Sequence, residues 1–250
     1  MIVVDGTVDR KRLGLLVPSS NTIMEQDLQR GLSEIASVHS ARMYLVEATE
    51  NGESAMLDEY LDRAVEDLTS LKPEVVVFGC TSAGALRGPA YDRQLCERIQ
   101  AQTGATTIST IESASNALAE SGHERVAVLT PYVDELNVKV RASIEAAGVD
   151  VVEIEGLGIS DNFGLAEPTP SEIANRAVAL IRRSNPSMLF VSCTNFRSLE
   201  AADRIELMTG VPVMTSNRAV IRAVEKRPGR PGHVRSVQAR PIGSVSTASM

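Results

Sequence analysis

The sequence predicts an α/β fold of two pseudo-symmetric lobes, each a parallel sheet flanked by helices, with the active site in the cleft between them. Three observations carry that expectation. Strand-like apolar runs alternate with helical stretches, as they do in chains of βαβ units. The runs 75–79 and 188–192 are apolar almost throughout, the pattern of strands buried on both faces of a parallel sheet. The pattern is also written twice. LGLLVP begins at Leu13 and VAVLTP at Val126, VVVFGCT begins at Val75 and MLFVSCT at Met188, and both pairs are 113 residues apart. Buried strands resemble one another by chance, but equal spacing of two separate pairs makes internal duplication the better explanation.

The first strand is expected over 13–17, ended by Pro18, which cannot donate to a sheet ladder. A helix over about 22–32 and a second strand over 41–47 follow. From 52 to 71 the apolar residues Met56, Leu57, Tyr60, Leu61, Ala64, Val65 and Leu68 fall on one helical stripe. The third strand, 75–79, runs into Cys80, with a helix near Tyr91. The second half repeats this: strand 126–130 ended by Pro131, a helix to about 147, strand 151–155, a helix, and strand 188–192 running into Cys193 ahead of a helix near Ser198. The helix before that last strand has a full start signal, with Thr169 as N-cap, Pro170 at the first helical position and Glu172 as capping-box partner. The first lobe is assigned residues 1–110 with 213–226, and the second 111–212. After Glu225 the composition turns to Pro, Gly, Ser and Arg without an acidic residue, so 227–250 is expected to be a flexible tail.

Composition narrows the function. A 43% hydrophobic content over 250 residues is ample for a packed core, and a net charge of −7 with both signs interspersed leaves no basic stripe for nucleic acid. No apolar run reaches the roughly 18 residues of a membrane span. The N-terminus MIVVDGTVDRKR lacks a signal peptide's apolar core, so a cytoplasmic location without membrane contact is expected. Three cysteines are too few and odd in number for a disulfide framework, and read as reduced thiols. A phosphate loop is lacking, and Gly156-Leu157-Gly158 is without the third glycine of a dinucleotide fingerprint. His39, His123 and His233 are scattered without ligand spacing. Neither cofactor nor metal is expected, which leaves thiol chemistry.

Cys80-Thr81-Ser82 and Cys193-Thr194-Asn195 each set a thiol and a hydroxyl beyond the carboxyl end of a strand, where open parallel sheets bind ligands. Free backbone N–H groups and a positive helix end would stabilise an anion there and lower the thiol pKa. One such cysteine could as readily be a core residue. Two at matched positions are expected to face each other across the cleft as a catalytic pair, while Cys96, in an amphipathic helix, is read as structural. Ser19, Ser20 and Asn21 form the turn after the first strand, able either to bind a substrate carboxylate or to cap the next helix. By offset Ser19 matches Tyr132, whose phenol would reach the same cleft or fill the core.

With LGLLVPSSNT near the start, a strand-end cysteine in each half, TPY opening the second half and Asp161-Asn162 after its second strand, the chain resembles the aspartate/glutamate racemase superfamily. Within it, the resemblance is to the group of maleate cis-trans isomerases and arylmalonate decarboxylases, over residues 12–225. That resemblance implies two Rossmann-like lobes, no cofactor and a small carboxylate substrate. In the isomerase pattern Cys80 adds to the substrate double bond and Cys193 gives and takes the proton. Asn21, Tyr132 and Asn162 hold the carboxylates, and Ser19, Thr81, Ser82 and Thr194 line the same pocket. Conversion of maleate to fumarate is the activity so implied. An amino-acid or hydantoin-type racemase with the thiols as opposed bases, or an arylmalonate-type decarboxylase, is the alternative. Decarboxylases typically carry glycine in place of Cys80, and this chain keeps both thiols. Its loop from Cys80 to Gly88 is nonetheless hydroxyl-rich in the decarboxylase manner, and Arg87 and Arg197 offer a second clamp for a carboxylate. A homo-oligomer is left open.

Overall fold

The computed structural model describes residues 10–227, so the expected tail from 228 onward lies outside the described residues. Two four-stranded parallel sheets are present. The first has β1 (Lys11–Pro18), β2 (Ala36–Met43), β3 (Val75–Phe78) and β4 (Thr106–Ser109) in the order β2-β1-β3-β4. The second has β5 (Arg125–Thr130), β6 (Asp150–Gly156), β7 (Met188–Val191) and β8 (Val213–Thr215) in the order β6-β5-β7-β8. The duplication extends to the register: Leu13 lies opposite Val38 and Val75, and Val126 opposite Val151 and Met188, each 113 residues on.

Ten α-helices connect the strands among the described residues: α1 (Met24–Gly31), α2 (Glu50–Ala55), α3 (Leu61–Thr69), α4 (Thr81–Leu86), α5 (Gly88–Thr103), α6 (Thr110–Glu120), α7 (Asp134–Glu145), α8 (Pro170–Ser184), α9 (Ser198–Thr209) and α10 (Ser216–Glu225). The capping box at Thr169 and Glu172 is formed, with Pro170 in the first turn. None of these helices is long and apolar enough to cross a membrane.

Several boundaries differ from expectation. Strand β2 covers 36–43, not 41–47, because it is an edge strand whose residues alternate only weakly, and the apolar Tyr44 and Val46 beyond it are exposed. The expected helix from 52 to 71 is broken by a π-helical turn, Met56–Tyr60, which leaves Tyr60 partly exposed while the rest of the stripe is buried. Strands β4 and β8 were not foreseen at all. Strand β8 pairs with β7, so residues 213–215 belong to the second sheet and not to the first lobe. Only α10 returns to the first lobe, where Val220 and Val224 pack on Leu13, Leu15 and Val17.

The remaining core is continuous across both lobes, joining Leu16 and Phe78 of the first to Leu129, Val191 and Phe196 of the second. Across the boundary α4 packs on α7, and α6 packs on both α7 and α10. Gly79 is required where β3 ends. A Cβ there would lie 2.8 Å from Leu15 and Met24 side-chain atoms and 2.9 Å from the Leu16 carbonyl, so only glycine brings the chain close enough to set Cys80 at the sheet's carboxyl edge.

Candidate active site

The two thiols are buried, with relative exposures of 5% for Cys80 and 2% for Cys193. Cys80 precedes α4 in extended backbone, φ −139°. Cys193 sits at φ +108°, a region that favours glycine. Hydrogen bonds hold it there: its N–H donates to Ser216 Oγ (3.1 Å) and its sulfur accepts from the N–H of Asn195 (3.3 Å). Ser216 also accepts from Thr81 Oγ1 (3.0 Å), so one hydroxyl ties the residue after one thiol to the backbone of the other. The thiols are close enough for the charge of Cys193 to act on Cys80. Cys96 stands apart on α5, near Asp92 and Glu112.

Tyr132, buried after β5, sets its phenol near enough to Cys193 to pull the thiol pKa down. Around this cluster a polar network stitches the lobes together. Asn21 Oδ1 accepts from the N–H groups of Ile23 and Met24, closing the turn into α1, and its Nδ2 donates to Thr194 Oγ1 (3.0 Å). Thr194 in turn donates to the Gly79 carbonyl (3.1 Å). Asn162 Nδ2 donates to Ser20 Oγ (2.6 Å). Asn195 accepts from the Thr22 N–H (2.9 Å) and donates to the Asn162 carbonyl (2.6 Å). Ser19 exchanges hydrogen bonds with Leu45 in the loop after β2. That loop meets its counterpart after β6: Ala48 N–H donates to Ser160 O, Asn162 N–H to Val46 O, and Glu47 bridges to Asp161. Arg87 and Arg197 do not form a clamp, because Arg87 is paired with Asp58 and Tyr91 and Arg197 with Glu200.

Sequence reasoning missed Glu53. Fully buried on α2, it accepts a very short hydrogen bond at Oε1 from Ser82 Oγ, and its Oε2 has no partner. Burial raises its pKa to about 8, against the pull of the Ser82 hydrogen bond and with help from the charge of Glu135. Nothing in the pattern TENGESA marks this glutamate as internal. Burial in the folded cleft is its only signal. Ser216 and Asn195 were missed as well, though the offset that pairs Asn195 with Ser82 could have drawn notice to it.

The thiols correct a second expectation. Burial pushes Cys80 well above its ordinary value, and the charge of Glu53 adds to it, outweighing the Ala83 N–H and Ser82. Burial likewise takes Cys193 up to about 12, while Tyr132 and the Asn195 N–H pull the other way. Helix ends do not lower these pKa values, because desolvation of the thiolate is the larger effect. Both thiols are therefore proton donors at neutral pH, and one must lose its proton to a base before it can attack. Among the described residues no group of three or more His, Cys, Asp or Glu is placed to hold a metal ion.

Comparison with known proteins places this geometry. The family model described as arylmalonate decarboxylase matches residues 13–238. A maleate isomerase of Nocardia farcinica is 30% identical over 84% of this chain and 86% of its own length. A crystal structure of the maleate isomerase Iso from Pseudomonas putida superposes with a TM-score of 0.80 at 28% identity, covering 86% of this chain and 92% of that one. A maleate cis-trans isomerase of Nocardia farcinica, a cysteine-to-serine variant with a covalently bound succinylcysteine intermediate, superposes with a TM-score of 0.78 at 27% identity, covering 86% and 91%.

Proposed function

Because the chain belongs to the arylmalonate decarboxylase family, we propose that it works by that family's two-lobed thiol chemistry as a cis-trans isomerase that converts maleate to fumarate with Cys80 and Cys193. The observation that carries this reading is the pair of buried thiols, from matched strand ends of opposite lobes, gathered in one cluster with different partners. The maleate isomerases among the relatives supply the substrate.

The steps follow from the groups present. Cys80 loses its proton and its sulfur adds to one alkene carbon, while the π electrons move onto the neighbouring carbon and its carboxylate. Cys193 donates its proton to that neighbouring carbon, leaving a succinyl thioether on Cys80. The former double bond is now single and rotates. Cys193 thiolate, steadied by the Tyr132 phenol, takes a proton back, the C–S bond breaks, and fumarate leaves. Asn21, Asn162, Ser19, Thr81, Ser82 and Thr194 are assigned to orient the carboxylates, supported by the hydrogen bonds that link Asn21 to Thr194 and Thr81 to Ser216, which holds the Cys193 backbone. A two-base racemase would need thiols in equivalent settings. Here one sulfur has a hydroxyl and a carboxylate beside it and the other a phenol, which supports a nucleophile and an acid.

Incubation of the purified protein with maleate, followed by proton NMR, is expected to show fumarate accumulating. Cys80→Ala is expected to abolish it, and Cys193→Ala to abolish it while retaining an adduct on Cys80 visible by intact mass. Fumarate formation at the wild-type rate by Cys80→Ala would overturn the assignment.

A further inference from the structure

Glu53 has no part in the mechanism above, yet it is a carboxyl group with no solvent exposure set against both thiols and the phenol. A buried carboxylate is costly unless a cation or a full set of hydrogen bonds compensates it. Glu53 has neither. Among the described residues no Lys or Arg pairs with it, Ser82 serves Oε1, and Oε2 is unpartnered. The groups that face it are Cys80 and Ser82 at the start of α4, Tyr132 after β5, Cys193 after β7 and Glu135 of α7, all of them acids or neutral.

The second observation is the direction of the hydrogen bonds. Ser82 Oγ lies 3.8 Å from Cys80 Sγ and also donates to Glu53. Once Glu53 is ionised, as it becomes when pH rises toward 8, it only accepts, so the Ser82 hydrogen then points to it and the Ser82 lone pair is left to accept from the thiol. The three groups thus form a chain of one polarity, from the Cys80 S–H through the Ser82 O–H to Glu53. The second lobe lacks it: at the 113-residue offset Ser82 becomes Asn195, and past the one-residue register shift in β6 Glu53 matches Glu167, whose carboxylate is exposed and not set against a thiol. Duplication gave both lobes a thiol, and only one has a base.

We propose that Glu53, acting through Ser82, is the base that ionises Cys80, and that this makes Cys80 rather than Cys193 the nucleophile. The thiol proton passes to Ser82 Oγ as the Ser82 hydroxyl proton passes to Glu53 Oε1, and the freed sulfur lone pair forms the C–S bond. One negative charge moves from carboxylate to sulfur to substrate, and none is created or lost. Expulsion of the product reverses the transfer. The inference rests on the reading of Cys80 as the attacking thiol.

The test needs no substrate, so its failure and the failure of maleate turnover are separate results. Iodoacetamide alkylation of each cysteine is followed by peptide mass spectrometry from pH 6 to 10 (about the range that brackets these groups) in wild type, Glu53→Gln and Ser82→Ala. If Glu53 is the base, Cys80 alkylation in wild type rises with an inflection near 8. Both variants lose that inflection and react at least about tenfold more slowly at Cys80 above it, with Cys96 unchanged. If Glu53 is only a buried charge, its removal relieves the repulsion that raises Cys80, and alkylation becomes faster. A faster or unchanged rate in Glu53→Gln overturns the proposal. Acceleration at Cys96 would mark unfolding of that variant, in which case Ser82→Ala, a smaller change that keeps the carboxylate, decides in the same way.

Discussion

At the scale of single residues, the backbone of Cys193 stores strain that any β-carbon suffers. Its φ of +108° costs an L-residue on the order of 1–3 kcal/mol. Cys193→Gly is accordingly expected to be more stable than Cys193→Ala by about 1 kcal/mol, the reverse of the order at an ordinary position. Thermal melts of the two inactive variants would measure it, and a less stable glycine variant would contradict the strain. Tyr132→Phe removes the phenol that lowers the Cys193 pKa. Its kcat/KM on maleate is expected to fall by the equivalent of about 1–3 kcal/mol, and an unchanged value would place the phenol outside the reaction. Glu53 also has a signature in stability. Its carboxyl, at 4.5 when unfolded and about 8 when folded, holds a proton that the unfolded chain gives up. Its contribution is whole below 4.5 and is lost as pH rises through 8, so Glu53→Gln should gain on wild type by a few kcal/mol across that window in denaturant melts. The paired cysteines were legible in the sequence because chemistry and spacing agreed there. Glu53 and the upward thiol shifts were not, since both arise from burial that only the assembled lobes create.

Among the elements, α2 carries Glu53 into the cleft, and Gly52 lets it do so. A β-carbon at Gly52 would overlap the Glu47 carbonyl, in the loop whose Glu47 bridges to Asp161. Gly52→Ala should therefore destabilise the protein by about 1–3 kcal/mol and speed alkylation of both catalytic thiols as the two loops part, whereas a silent substitution would mean that α2 has room to shift. The long, strongly patterned elements were readable: β1, β3, β5 and β7 are apolar and central, and α8 announces itself with its capping box. Strands β4 and β8 escaped because they are edge strands of four and three residues, and Thr106-Thr107-Ile108-Ser109 has too little apolar pattern to stand out. The π-helical turn escaped because a 3.6-residue period carries no sign of the inserted residue that turns Tyr60 outward.

For the whole molecule, the site and the lobe boundary are one structure. Asn195 bonds Thr22 of the first lobe and Asn162 of the second, and both partners are left unpaired without it. Asn195→Ala is expected to cost about 1–3 kcal/mol of stability in a single transition shared by both lobes, and two separated transitions in calorimetry would show that the lobes fold independently.

The return of α10 to the first sheet bears on how the protein is made. Leu13, Leu15 and Val17 share a buried cluster with Met24, Leu28 and Leu32 of the α1 region just after them and with Val220 and Val224, about two hundred residues further along the chain. At roughly 5–20 residues per second, β1 has only the α1 side of that cluster for about 10–40 s before α10 is made, a window in which a nascent-chain chaperone has something to hold. The first sheet is thus completed by a helix made after the second.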